Sequence, residues 1–238
     1  MARGSEKTGF GVIVLFMLAW PAAALDFPAR HNHWRKGCAG ILTLDADGAA
    51  FRQIGAKKEP HAWRWTWADI QRLEIGDDRR VRVRTYRDSR LRLGADIEYE
   101  FLLDGRPDLV PVYELLRTAT DARFVARLAA PGAKLEWELP AKRVRGAGGV
   151  LGVLRVYEDR VVFAADKPGE SCTWRDSDIA LISSSGPLHF SLTAAGAGEI
   201  FEFQLRRSLQ PEQYERLWLR LEAQRGLKLL HEEKESAK

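Results

Sequence analysis

Apolar and polar residues alternate in short runs along most of this chain, and a period of two marks strands with one buried face. Between 61 and 67, Trp63, Trp65 and Trp67 fall on one face, Arg64 and Thr66 on the other. Between 80 and 86, Val81, Val83 and Thr85 oppose Arg80, Arg82 and Arg84. Between 97 and 103, Tyr99, Phe101 and Leu103 share a face. Runs at 40–44 and 49–54 flank Asp45-Ala46-Asp47-Gly48, and Asp-Gly between apolar runs predicts a hairpin. A further hairpin is expected where 70–75 and 80–86 flank Gly76-Asp77-Asp78. Two stretches change to a helical period. One follows Asp108, a candidate cap, and carries Val112, Tyr113, Leu115, Leu116 and Ala119. The other starts at Pro211, carries Tyr214, Leu217, Trp218 and Leu221, and meets a stop signal at Gly226.

The pattern recurs. Gly40, Leu42, Leu44 and Phe51 lie over Gly152, Leu154, Val156 and Phe163 without a gap. Pro28-Ala29-Arg30 falls over Pro140-Ala141-Lys142 at the same offset. Downstream, Trp65 and Asp69-Ile70 match Trp174 and Asp178-Ile179. Glu100-Phe101 matches Glu202-Phe203, and Tyr113-Glu114 matches Tyr214-Glu215. The offset shrinks only in polar, loop-like stretches, as a duplicated unit drifts. In the second unit, strands are expected near 150–157, 160–165, 171–175, 179–183, 188–193 and 199–205. This predicts a signal peptide at 1–24, a first domain at 25–125, a linker at 126–138, a second domain at 139–226 and a charged tail at 227–238. The expected class is mainly β, with one C-terminal helix per repeat.

Six or seven strands and a closing helix in about 100 residues resemble the pleckstrin-homology-like (PH-like) superfold, in particular its GRAM and bacterial PH members. The resemblance rests on Gly40, Leu42 and Phe51 with Gly152, Leu154 and Phe163. It rests also on Trp65 before Asp69-Ile70 and Trp174 before Asp178-Ile179, and on helices at Tyr113 and Tyr214. It implies two PH-like small barrels in tandem and a binding or scaffolding role. Lipid-binding members grip phosphates with basic residues in the first hairpin loop. Here that loop is Asp45-Ala46-Asp47-Gly48, and its counterpart is Glu158-Asp159-Arg160. Acidic side chains repel a phosphate, so phosphoinositide binding is not carried over.

The N-terminus adds a compartment. Arg3 and Lys7 precede an apolar run at 11–20, and Pro21-Ala22-Ala23-Ala24 offers a small-residue cleavage site. A spanning helix needs about 20 apolar residues, so the run favours cleavage over a retained anchor. The chain is thus expected to be exported, periplasmic or extracellular, with no transmembrane segment after cleavage. A net charge of +4 is too small for a dedicated nucleic-acid binder. The two cysteines, Cys38 and Cys172, occupy non-equivalent positions in the repeats. They are either a staple between domains or buried thiols.

Candidate chemistry is sparse. Arg80, Arg82 and Arg84, continued by Arg87, Arg90 and Arg92, form a row suited to an anionic partner; the alternative is a solvated strand face balanced by nearby Asp and Glu. Trp63 and Trp67 lack counterparts in the second unit and are candidate partner-binding residues, against a packing role for the same rings. His31-x-His33 near Cys38, with His61 beyond, is a possible metal- or thiol-dependent site. The aligned positions of the second unit hold Arg143, Arg145 and Val150. No nucleophile elbow, zinc-protease helix or phosphate loop is present in the sequence. Cys38 with His61 lacks an evident third group to complete a catalytic triad. The expectation is a non-catalytic protein without a cofactor, recognising a protein or an anionic envelope surface.

Overall fold

The computed structural model describes residues 24–32, 37–55, 59–89, 94–146, 148–196 and 198–225. The leader at 1–23, His33, Arg90, Arg92, Gly226 and the tail at 227–238 lie outside the described residues. The first half runs β1 (Leu25–His31), β2 (Cys38–Asp45), β3 (Gly48–Gln53), β4 (Ala62–Thr66), β5 (Ile70–Gly76), β6 (Arg80–Asp88), β7 (Asp96–Leu103) and α1 (Val110–Ala119). The chain then forms β8 (Phe124–Arg127), β9 (Leu135–Arg145), β10 (Gly148–Tyr157), β11 (Arg160–Ala165) and β12 (Cys172–Arg175). It ends with β13 (Ile179–Gly186), β14 (His189–Ala194), β15 (Ile200–Leu205) and α2 (Pro211–Gln224).

The expectation of two PH-like barrels in tandem, each closed by its own helix, is overturned. Among the described residues, all fifteen strands belong to one open, mixed sheet, ordered β13-β14-β15-β9-β10-β11-β12-β8-β5-β6-β7-β1-β2-β3-β4. The reason is β8. This short strand follows α1, pairs parallel with β5, and meets β12 at Thr173↔Ala126. Strand edges carry unpaired N–H and C=O groups, and β8 satisfies an edge on each side. Helix α1 therefore leads back into the sheet, and α2 alone follows the last strand.

The segment at 126–138 is part of this joint. Leu128 and Ala130 are buried in it. The Thr173 hydroxyl donates to the Leu128 carbonyl at 2.7 Å and accepts from the Ala130 N–H at 3.0 Å.

Two buried clusters lie along the sheet. One joins Leu42, Phe51, Trp65, Val81, Val83 and Phe101 to Val112, Tyr113 and Leu116 of α1. The other joins Leu154, Phe163, Trp174, Phe190 and Phe203 to Leu217 and Leu221 of α2. Leu42 pairs with Phe51 across β2–β3, and Leu154 with Phe163 across β10–β11. Two glycines permit these contacts. A Cβ on Gly40 would stand 2.5 Å from the Phe51 ring, and one on Gly152 2.9 Å from the Phe163 ring.

Details depart from the pattern. Leu109, not Asp108, is the cap residue of α1, although the Asp108 carboxylate accepts the Val110 N–H at 3.0 Å. Trp218 is exposed on α2 rather than buried with Leu217 and Leu221. Among the described residues, no helix is long and apolar enough to cross a membrane.

Candidate functional site

Strands β1 to β4 are consecutive antiparallel neighbours, and their ends gather three metal-type ligands. His31 closes β1 and stands directly opposite Cys38, the first residue of β2. His61 precedes β4 and is tied to the end of β3: the Gln53 N–H donates to the His61 carbonyl at 2.8 Å, and the His61 N–H donates to Gln53 Oε1 at 3.0 Å. The ligand atoms of His31, Cys38 and His61 all lie within 4.8 Å of one another. Cys38 Sγ is 3.7 Å from His61 Nδ1. His31 and Cys38 are buried, and His61 is half-buried.

An aromatic wall surrounds His31. Its ring lies 4.8 Å from Trp63, 5.2 Å from Phe101 and 6.0 Å from Tyr99, centroid to centroid. His61 lies 5.1 Å from Trp63. Burial pushes the Cys38 thiol up, while backbone hydrogen bonds at Cys38 and His31 pull it down without prevailing. A raised thiol is a poor nucleophile, which argues against covalent catalysis by the Cys38–His61 pair. His33 lies outside the described residues.

Trp63 and Trp67 are partly buried against the first core. Trp63 stacks with Trp65 at 6.0 Å and packs on Tyr99 at 5.0 Å. The Trp67 indole N–H donates to the Ala46 carbonyl at 2.6 Å. The alternating tryptophan face thus points into the fold.

The arginine row lies on β6 between two acidic strands. Arg82 reaches Glu74 of β5 at 2.9 Å and Glu100 of β7 at 3.2 Å. Arg84 binds Glu98 of β7 at 2.7 Å, and Arg80 lies 3.5 Å from Asp78. The Arg82 and Arg84 pairs are cross-strand ion pairs of the kind that steady neighbouring strands, whereas Arg80 pairs with the turn that precedes it.

Arg80 and Arg82 also line a cleft of about 410 Å³, together with Arg127 of β8 and Arg143 and Arg145 of β9. Glu74, Asp78, Glu170 and Glu199 line it too. Arg127 binds Glu199 at 2.8 Å, and Arg145 binds Glu170 at 3.0 Å. Arg143 also pairs with Glu170. Burial works against the charge on Arg127, but Cys172, Glu199 and Glu74 more than offset it. Cys172 is fully buried, within 3.3 Å of Arg127 and 3.4 Å of Arg143. Neither cysteine is in a disulfide.

Comparison with known proteins adds little. No family model matches this chain. No curated protein matches it either. Among solved structures, it is similar to one described as "Structure of the Spt16D Pob3N heterodimer", with 10% identity and a TM-score of 0.32. That match covers 75% of this chain and 85% of the other. The likeness is too slight to name a fold.

Sequence reasoning missed Arg127, Arg143 and Arg145 as companions of the β6 row. The Arg143-x-Arg145 spacing puts both on one strand face, which was visible. Their nearness to Arg80 and Arg82 depends on β8 joining the two halves, and no local pattern signals that. It also missed Arg175, whose guanidinium donates to the carbonyls of Arg117, Thr120 and Asp121 at the end of α1.

Proposed function

We propose that this is an exported, non-catalytic binding protein of the cell envelope that recognises an anionic protein or envelope surface. The observation that carries the reading is the cleft shared by Arg80, Arg82, Arg127, Arg143 and Arg145. Guanidinium groups suit carboxylate and phosphate recognition because their paired donors match those oxygens. The outermost members, Arg80 and Arg145, have side chains 51% and 69% exposed. An incoming anion meets these first and competes with Asp78 and Glu170 for them. The signal-like leader supports export. The internal sequence repetition and its PH-like character support a binding role by analogy. On this reading Trp63 packs against His31 and Trp67 is tied to the Ala46 carbonyl, and neither contacts the partner.

The test uses the full mature chain and an Arg80→Ala/Arg145→Ala variant. Each is measured against an acidic polypeptide, anionic vesicles and envelope extract, with elution by a salt gradient. Binding that weakens several-fold in the variant and falls with salt supports the reading, since surface charge contacts are screened over about 8–10 Å. Equal, salt-insensitive binding by both proteins refutes it.

A further inference from the structure

The geometry points to a metal site formed by His31, Cys38 and His61 that takes a soft d10 cation, zinc(II) or copper(I), through two imidazole nitrogens and one thiolate. This site is separate from the arginine cleft and does not depend on it.

The donor set fits such ions. Thiolate selects copper(I) and zinc over the harder divalent ions, and imidazole suits both metals. The spacing fits as well. Zinc–sulfur and zinc–nitrogen bonds of about 2.3 and 2.0–2.1 Å at tetrahedral angles give a sulfur-to-nitrogen edge of about 3.6 Å. Cys38 Sγ to His61 Nδ1 measures 3.7 Å. His61 Nδ1 is therefore the nitrogen placed to coordinate beside Cys38 Sγ, while closing the full set calls for a shift of up to about an ångström from the 4.8 Å span. The third ligand is within the same 4.8 Å span.

The backbone holds this arrangement rigidly. His31 and Cys38 face each other across a β ladder, and His61 is fastened to β3 by two hydrogen bonds. Two of the three ligands, His31 and Cys38, thus sit on strands, where positions are held more accurately than on loops. The aromatic wall of Trp63, Tyr99 and Phe101 fixes the His31 ring and excludes water from the rear. His61, being half-buried, forms the open side. Three protein ligands leave a tetrahedral ion one position to fill from outside this set. Binding displaces the Cys38 thiol proton to solvent, because the thiolate is the ligand. The two metals differ in what remains: copper(I) with one thiolate is neutral, whereas zinc(II) with one thiolate keeps a positive charge and calls for an anion or water at the open position.

The purified full chain, stripped with chelator, is titrated separately with zinc(II) and with copper(I), each delivered from a competing chelator. Cobalt(II) serves as a spectroscopic probe in a third arm. The expected result is one ion per chain in at least one of the first two arms. Cobalt should give a thiolate-to-metal charge-transfer band in the near ultraviolet. Saturation in only one of those arms identifies the metal. His61→Gln should weaken binding by at least about 100-fold, the upper end of what outer-shell changes alone cost. Cys38→Ser should abolish the cobalt band.

A variant that fails to fold is bypassed by alkylation of the wild-type chain. Bound metal should protect Cys38, read by peptide mass mapping. Failure of the wild type to bind either metal at micromolar concentration overturns the site. So does unchanged stoichiometry and affinity in folded Cys38→Ser and His61→Gln, or rapid alkylation of Cys38 at saturating metal.

Discussion

Replacing Arg175 tests whether the two halves are held as one body. Arg175 opens onto the turn after β12, in the second half, yet its guanidinium closes the end of α1 in the first. It donates to the Arg117 and Thr120 carbonyls at 2.7 Å each and to the Asp121 carbonyl at 2.6 Å. The other side of the same fork grips Asp178 at 2.7 Å. The side chain is 10% exposed. The last carbonyls of a helix have no partner within it, and a cation there also meets the negative end of the helix dipole.

Arg175→Met keeps the chain length and removes every one of these bonds. A hydrogen bond to a charged group contributes about 1.5–3 kcal/mol net, and breaking a buried ion pair costs about 3–5 kcal/mol. These contributions overlap, and water reaches part of the site, because Asp121 and Asp178 also line a neighbouring cleft of about 600 Å³. The expected loss is about 3–5 kcal/mol, a large share of the roughly 5–15 kcal/mol that stabilises a domain. Arg175→Lys keeps the charge but not the two-sided fork, and recovers only part of the loss.

The assay is urea denaturation followed by tryptophan fluorescence and circular dichroism. Coincident transitions and an unchanged slope are required before free energies are compared. The exposed pair of Arg155 with Glu138 provides the control, since Arg155→Ala should cost no more than about 1 kcal/mol. A loss for Arg175→Met no greater than that of the control would refute the capping argument.

Two further outcomes follow from other contacts. Glu114 and Asp159 receive hydrogen bonds from the buried Arg160 at 2.7 and 2.8 Å. In both, burial raises the carboxyl pKa, but the bonds from Arg160 and the charge of Arg117 outweigh it, and the net shift is downward. A depressed carboxylate stabilises the fold fully above its unfolded pKa of about 4 and loses that contribution as pH falls through its folded value. Wild-type stability should therefore drop more steeply below about pH 4 than that of Arg160→Met, read from urea midpoints between pH 3 and 7; equal slopes would contradict this. Gly40→Ala and Gly152→Ala should each cost about 1–3 kcal/mol, because the new methyl group would stand 2.4 Å from the Arg52 carbonyl oxygen or 2.3 Å from that of Ala164, and would also press on the Phe51 or Phe163 ring, so paired backbone as well as a side chain must shift. Gly148→Ala, with open space at its Cβ, is the comparison, and thermal melts that rank all three alike would rule the steric account out.

The strands were legible where one face is apolar. Alternation placed β6 and β7 within a residue or two of their observed bounds, and the Asp-Gly signal placed the β2–β3 turn, which Asp45 Oδ1 closes by accepting the Asp47 and Gly48 N–H groups at 2.8 Å each. Pro28 and Pro140 sit inside β1 and β9, where a proline argues against a central strand. The register shows how both are accommodated. The pairing of β7 with β1 covers 29–31, and that of β15 with β9 covers 141–144. Each proline therefore lies just outside its strand's second ladder, where its missing N–H costs no bond on that side.

The candidate sites divide along the same line. His31, Cys38 and His61 lie at the ends of consecutive neighbouring strands, and of the pairings that gather them only the β2–β3 hairpin was predicted. The cleft arginines come from strands that are neighbours only through β8. That four-residue strand carries one parallel ladder and one single-pair contact, and its sequence, Phe124-Val125-Ala126-Arg127, is too short to show a period. A local pattern reports which face of a segment is buried. It carries no information about which distant edge the segment will cover, and here that choice decides whether the chain is two barrels or one sheet.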